Sequence, residues 1–325
     1  MTSIFTFFVF FLFPLCSVIY VYRFRGQARF TSFVEYLRKG WPIFAPLNVF
    51  LYICTKRFSQ KAFVKTEKFN KLNILEDNWQ KIAQEAQGLH DKGFFEQTTS
   101  KENSSFYDVG FRTFYKYGWS KFYCTWYGTH LNSAMAHCPK TVELLNQIPS
   151  VNGAMFTLLP AKSKLTRHLD PVACSFRYHL GLNTPNSEDC FINVDSTKQS
   201  WKDGEAFIFD ETCLHYVENN SQDMRLILMC DIERPMNIFG KLFNKIYKFL
   251  ISQMLVPNLP GDQAGIVNKL FAKVTPFLTA SKAFKKQNPK LYYPFKWCFN
   301  LILLCVFVGI LILLSNVLFS IILID

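Results

Sequence analysis

Five short runs decide the fold of this chain: MFTLLP (155–160), CSFRYHLGLNT (174–184), CFINVD (190–195), GEAFIFD (204–210) and RLILMCD (225–231). Each is rich in Phe, Ile, Leu or Val, has the length of a strand, and ends at turn residues. NTPNSED (183–189) and STKQSWKDGE (196–205) supply the turns. Runs of this kind between Asn152 and Asp231 predict the strands of a β-sandwich or barrel.

Outward from this core the period lengthens. From Ile74 to Leu89, the residues Leu75, Trp79, Ile82, Ala83, Ala86 and Leu89 share one helical face, with Glu76 and Asp77 near the start, where the macrodipole favours them. After Pro235, Phe239, Leu242, Phe243, Ile246 and Leu250 form an apolar face, while Lys241, Lys245 and Lys248 lie on another. That pattern is a basic amphipathic helix, which either docks at a membrane interface or covers the β-domain with its lysines solvated. Trp41 to Cys54 (WPIFAPLNVFLYIC) is too short to span a bilayer and suits either an interfacial or a core position.

The chain has 325 residues, half of them hydrophobic, with 36 Lys and Arg against 24 Asp and Glu and a net charge of +12. That hydrophobicity excludes a disordered chain. Ile4 to Tyr22 and Cys298 to Ile324 carry no charge, and each is long enough to cross a hydrocarbon core of about 30 Å. Arg23, Arg25, Arg29, Arg38 and Lys39 follow the first, and Lys282, Lys285, Lys286, Lys290 and Lys296 precede the second. By the positive-inside rule, both flanks and the whole middle are expected in the cytosol, with the two termini outside. Ten cysteines without a CxxC pair, in a reducing compartment, read as small apolar side chains and not as disulfides.

The chemistry concentrates in the β-region. His168 and Asp170 form an H-x-D pair, and His215 follows the run GEAFIFD. Two His and one carboxylate on one face of a metal leave adjacent positions open, the arrangement of non-haem Fe(II) oxygenases. Zinc more often takes a third His or a thiolate, and Cys213, two residues before His215, keeps that choice open at this level. Arg177 shares a strand face with His179, and Arg225 opens RLILMCD. A guanidinium in an apolar core needs an anion, because an unpaired buried charge is expensive. The anion is either one of Asp203, Asp210 and Asp231 or a dicarboxylate co-substrate held by a bidentate fork. His90, His130 and His137 read as structural, and GxGxxG, P-loop, GxSxG and nucleic-acid signatures do not occur.

HLDPVACSFRYHLGLNTPN (168–186), WKDGEAFIFDETCLHYVEN (201–219) and RLILMCDIERP (225–235) resemble the aspartyl/asparaginyl β-hydroxylase family of 2-oxoglutarate dioxygenases. Within it, ILEDNWQKIAQEA, WSKFYCTWYG, CPKTVELLNQIPSVNGAMFTLLP and the terminal apolar segments are similar to the bacterial lipid A 2-hydroxylases. The resemblance implies a double-stranded β-helix, the jelly-roll or cupin-like core, with flanking α-helices and a transmembrane helix at each terminus. It implies that His168, Asp170 and His215 hold Fe(II), that Arg225 binds the distal carboxylate of 2-oxoglutarate, and that Arg177, His179 and Thr157 contact the same co-substrate. The animal peptide hydroxylases of the family have glycine in place of Asp170, and this sequence departs from them there.

The implied reaction uses Fe(II), 2-oxoglutarate and O2 to hydroxylate an unactivated C–H bond. The substrate expected from the likeness and from location is a membrane lipid, C2 of a secondary acyl chain of lipid A, at the cytosolic face of a bacterial inner membrane. An ornithine-type lipid, a protein Asp or Asn side chain, and a non-catalytic membrane binding module are the other readings. No nucleic acid and no obligate protein partner is expected. The expected organisation is an anchor over 1–22, a basic juxtamembrane segment over 23–66, a helical part over 67–150, the dioxygenase core over 151–235, interfacial helices over 236–296 and a second anchor over 297–325.

Overall fold

The computed structural model of the chain describes residues 11–111, 115–296 and 298. The helices are α1 (Phe13–Arg23), α2 (Phe33–Lys39), α3 (Ala45–Cys54), α4 (Asn73–Asp77), α5 (Trp79–Asp91), α6 (Phe94–Thr99), α7 (Asn132–His137), α8 (Pro139–Asn146), α9 (Ile238–Ser252) and α10 (Ile266–Gln287). The strands are β1 (Phe63–Val64), β2 (Ser120–Trp126), β3 (Thr129–His130), β4 (Val151–Leu159), β5 (Ser163–His168), β6 (Ser175–Asn183), β7 (Cys190–Val194), β8 (Thr197–Ser200), β9 (Ala206–Phe209), β10 (His215–Asn219) and β11 (Arg225–Glu233).

The strands form a seven-stranded sheet in the order β1-β9-β6-β11-β4-β2-β3 and a four-stranded sheet in the order β5-β10-β7-β8. All pairs of named strands are antiparallel. From β4 to β11 the chain divides eight strands four and four between the sheets, which is jelly-roll connectivity. The large sheet explains why its runs are continuously apolar. β6 packs against α5 on one face and contributes Arg177 and His179 to a cleft on the other, so both faces leave water.

Several elements differ from expectation. The helix over Ile74–Leu89 is two, broken at Asn78, whose side chain donates to the Ile74 carbonyl at 2.9 Å. The stretch 67–150, expected helical, also places β2 and β3 at one edge of the large sheet. STKQS was expected in a turn, but Thr197–Ser200 pairs with β7 as the edge strand β8, where polar side chains can face water. Among the described residues all cysteines are free.

The expected inner-membrane placement through two spanning helices, with a cytosolic middle and outward termini, is overturned. No helix among the described residues is long and apolar enough to cross a membrane. The described part of the first segment, residues 11–22, lies mostly in α1, which buries Ser17 and Val21. Of Cys298–Ile324, all but Cys298 lies outside the described residues.

The chain forms two compact units, Met1–Phe271 and Ala272–Asp325. Within the first, α1, α2 and α3 share an apolar cluster with Leu169, Val172, Ala173, Leu214 and Met236. Leu169 lies between His168 and Asp170, and Leu214 precedes His215, so this cluster backs onto the expected metal ligands.

Candidate active site

His168 ends β5 and His215 begins β10, and the two are cross-strand partners in the small sheet. Their ring centroids are 4.2 Å apart. The His168 Nδ1 lies 2.7 Å from the Thr166 carbonyl and the His215 Nδ1 lies 2.9 Å from the Cys213 carbonyl. Both carbonyls can only accept, so each Nδ1 carries a proton, and in the neutral rings the lone pair sits on Nε2. Asp170 follows β5, with its Oδ1 at 3.9 Å from the His168 Nε2. One ligand atom from each of His168, Asp170 and His215 fits within 4.8 Å, a donor set that could hold a metal ion. Cys213 stays outside this group.

Asp170 is fixed from its other side. Its Oδ2 accepts from the Arg177 Nη2 at 2.9 Å and its backbone N–H donates to the Glu211 carbonyl at 2.9 Å. Arg177, buried on β6, also pairs with Glu211 and, at 2.6 Å, with Asp231. Partial burial would raise the Asp170 carboxyl, but Arg177, with His215 and His168, holds it down to about 2. Burial raises Glu211 to about 8, against the pull of Arg177. Burial, with His168 beside it, lowers the His215 imidazole to about 4.

A second group of residues lies across the same cleft. Arg225 opens β11, is buried, and donates from Nη2 to the Thr157 hydroxyl at 3.1 Å. Its guanidinium lies over the Trp201 ring at 4.6 Å. None of Asp203, Asp210 and Asp231 takes the counterion role. Asp210 is matched by Arg25 and Arg234, Asp231 by Arg177, and Asp203 accepts from Thr184 and Asn186. Among the described residues no carboxylate pairs with Arg225, and its Nε has no hydrogen-bond partner. Burial accordingly lowers its guanidinium to about 10. His179 is held well below the usual imidazole range by burial and by Arg225. The Trp201 indole N–H donates to its Nδ1 at 3.3 Å, so the proton of the neutral ring sits on Nε2, a buried donor with no partner.

Thr157, His168, Asp170, Arg177, His179, His215 and Arg225 therefore line one cleft between the sheets. Its remaining walls are Phe111, Trp119, Leu165, Ile192, Phe209, Val217 and Met229. Asp170, Glu211 and Asp231 pair with Arg177, while Arg225 and His179 carry donors with no hydrogen-bond partner among the described residues. Sequence reasoning missed Glu211 and Trp201. An acid beside a strand end and a Trp before a turn are common on any surface, and only the folded contacts single them out. His90, His130 and His137 lie outside the cleft, on α5, β3 and α7.

Residues 76–235 match the family model described as aspartyl/asparaginyl beta-hydroxylase. The domain belongs to the aspartyl/asparaginyl β-hydroxylase family. This hydroxylase domain holds β2 to β11, and with them every cleft residue named above. An ornithine lipid ester-linked acyl 2-hydroxylase of Rhizobium tropici is 29% identical over 127 residues, 39% of this chain and 45% of that protein. The aspartyl/asparaginyl beta-hydroxylase of Homo sapiens is 29% identical over 168 residues, 50% of this chain and 21% of that protein. The match thus spans less than half the length of either relative. A crystal structure of a Pseudomonas putida prolyl-4-hydroxylase aligns over 49% of this chain and 87% of that one at 16% identity, with a TM-score of 0.31, and adds nothing to the strand order described above.

Proposed function

We propose that this chain is an Fe(II)- and 2-oxoglutarate-dependent dioxygenase that hydroxylates a lipid acyl chain, with C2 of a secondary acyl chain of lipid A as the substrate to test first. The observation that carries the reading is the buried, carboxylate-free guanidinium of Arg225 in the same cleft as His168, Asp170 and His215. A cation so placed costs several kcal/mol unless an anion joins it. A dicarboxylate with one end at Arg225 and the other toward the triad would meet that need.

His168 and His215 would hold iron through Nε2 and Asp170 through Oδ1, while Arg177 keeps Oδ2. Arg225 and the Thr157 hydroxyl would receive the distal carboxylate, and the His179 Nε2–H supplies a further donor. When bound, iron, 2-oxoglutarate and O2 supply the oxidation: one oxygen atom enters the C–H bond as hydroxyl, the other enters succinate, and CO2 leaves. The apolar side chains of the cleft exclude water and suit an acyl chain better than a carboxylate-bearing side chain. The relative named for an ornithine-lipid acyl chain supports a lipid substrate, and makes such a lipid the second candidate.

The test is mass spectrometry of lipids from an aerobic host that lacks such an enzyme and expresses the chain or its His168→Ala variant. A 16 Da gain on lipid A with the intact chain alone is the expected result. The same gain on an ornithine-containing lipid would move the substrate and keep the reaction. Absence of succinate release with every lipid or protein offered, despite bound iron, would overturn the enzymatic reading.

A further inference from the structure

We infer that the outer faces of α3 and α9 form one docking surface for an anionic lipid bilayer. The inference stands on geometry and composition and not on the reaction proposed above.

The inner faces of the two helices pack on the domain. α9 packs on α3 through Gly240, where an added Cβ would fall 2.8 Å from the Cys54 Cβ and 2.7 Å from the Met236 sulfur. The junction is fixed by backbone bonds from Asn237 to Cys54 and from Lys56 to Pro235, both 2.9 Å, and Phe50 meets Phe243 edge to face. The outer faces are apolar and, among the described residues, unpartnered. Ile238, Phe239, Leu242 and Phe249 of α9 are 62% to 72% exposed, and Ile53 of α3 is 73% exposed. A water-facing helix would carry polar residues here, and contiguous large apolar side chains of this kind mark an interaction surface.

Charge names the partner. Lys56, Arg57, Lys241 and Lys245 are exposed around these apolar side chains, and no Asp or Glu occurs between Arg234 and Asp262. Lys248 of α9 is matched by Glu233, but Lys241 and Lys245, beside Ile, Leu and Phe on the same helix, have no ion pair among the described residues and fit a layer that is anionic at its surface and hydrocarbon beneath. A soluble protein partner of ordinary composition would call for polar or acidic residues in the patch.

The same helix ties this surface to the cleft. The Asn48 side chain donates to the Pro171 carbonyl at 3.0 Å and accepts from the Ala173 N–H at 2.9 Å. The Tyr52 hydroxyl meets the Thr212 hydroxyl at 2.9 Å. The inner face of α3 thus grips the loop after Asp170 and the loop before His215, while its outer face carries Ile53. A helix is roughly 10–12 Å thick, so a bilayer docked on α3 would lie about one helix diameter from the loops that hold the triad.

Vesicle flotation of the full chain, without iron or 2-oxoglutarate, tests this. The probes are phosphatidylglycerol vesicles and phosphatidylcholine vesicles, with the Leu242→Glu/Phe249→Glu double variant beside the unsubstituted chain. The expected result is preferential flotation with phosphatidylglycerol, weakened by salt and at least about tenfold lower in the variant. An unchanged circular dichroism melt shows that the variant folds. Equal flotation of both proteins would place lipid binding elsewhere and overturn the inference. A chain that ignores vesicles but self-associates, and becomes monomeric in the variant, would assign the face to a second copy and overturn it equally. Because binding is read without turnover, failure of the proposed reaction leaves this result standing.

Discussion

His168 and His215 are direct cross-strand partners of β5 and β10, with ring centroids 4.2 Å apart and both Nδ1 atoms against backbone carbonyls. Register alone therefore presents two Nε2 lone pairs side by side. Replacing either ring by Ala removes one of three candidate ligands while leaving the sheet intact. Co(II) titration, followed by visible absorption, is expected to show affinity reduced by at least about a hundredfold in either variant, a loss larger than the 10–100-fold typical of removing an outer partner. Unchanged Co(II) binding would locate the metal elsewhere.

Arg225→Met separates the proposed anion site from the proposed metal site. The substitution removes an unmatched buried charge, so the protein without co-substrate should melt at the same or a higher temperature. 2-Oxoglutarate binding, read by calorimetry with Co(II) present, should weaken by 2–5 kcal/mol, the usual loss when one partner of a buried charged contact is truncated. A lower melting temperature with unaltered 2-oxoglutarate affinity would contradict both halves of the prediction.

Arg177→Met should behave in the opposite way. It strands Asp170, Glu211 and Asp231 without their shared cation, and urea denaturation should show a loss of about 3–5 kcal/mol. Arg177→Lys keeps the charge but not the fork that reaches three carboxylates, and should recover only part of that loss. Stability equal to the unsubstituted chain would mean that the cluster is protonated or hydrated.

His215 sets a pH dependence in the metal-free protein. Its folded value of about 4 lies below the ordinary 6.5, because burial and His168 disfavour the charged ring. Between those values the unfolded chain binds the extra proton, so this group's contribution is fully present above pH 6.5 and is lost as pH falls toward 4. The difference corresponds to on the order of 3 kcal/mol. Urea midpoints measured from pH 7 to pH 4 should drop in the unsubstituted chain and drop less in His215→Gln, and parallel curves would refute the assignment.

The strands with apolar cores were legible because a sheet covered on both faces writes itself as runs of Phe, Ile, Leu and Val. β8 and β5 were not, since KQS and KLTRH carry polar residues that edge and half-covered strands tolerate. The H-x-D pair, His215 and the two arginines could be named from spacing and resemblance. What each arginine does could not. Arg177 and Arg225 read alike along the chain, and only the positions of Glu211 and Asp231, brought in from other elements, make one satisfied and the other open.

The membrane reading divides in the same way. Hydropathy along a window cannot show which residues of a helix pack on a β-domain, and α1 buries Ser17 and Val21. The apolar stripe of α9 was visible as a period, yet its direction was not. Gly240 and Asn244 turn inward while Leu242 and Phe249 point to solvent, because the close approach to α3 admits only a small residue at Gly240. The sequence by itself determined a β-core of hydroxylase type, its metal-ligand candidates and a basic amphipathic helix, since local residue order encodes period, turns and motif. Tertiary structure alone decided the partners of the buried charges and which apolar face remains open, since these depend on residues that meet only when distant strands and helices pack together.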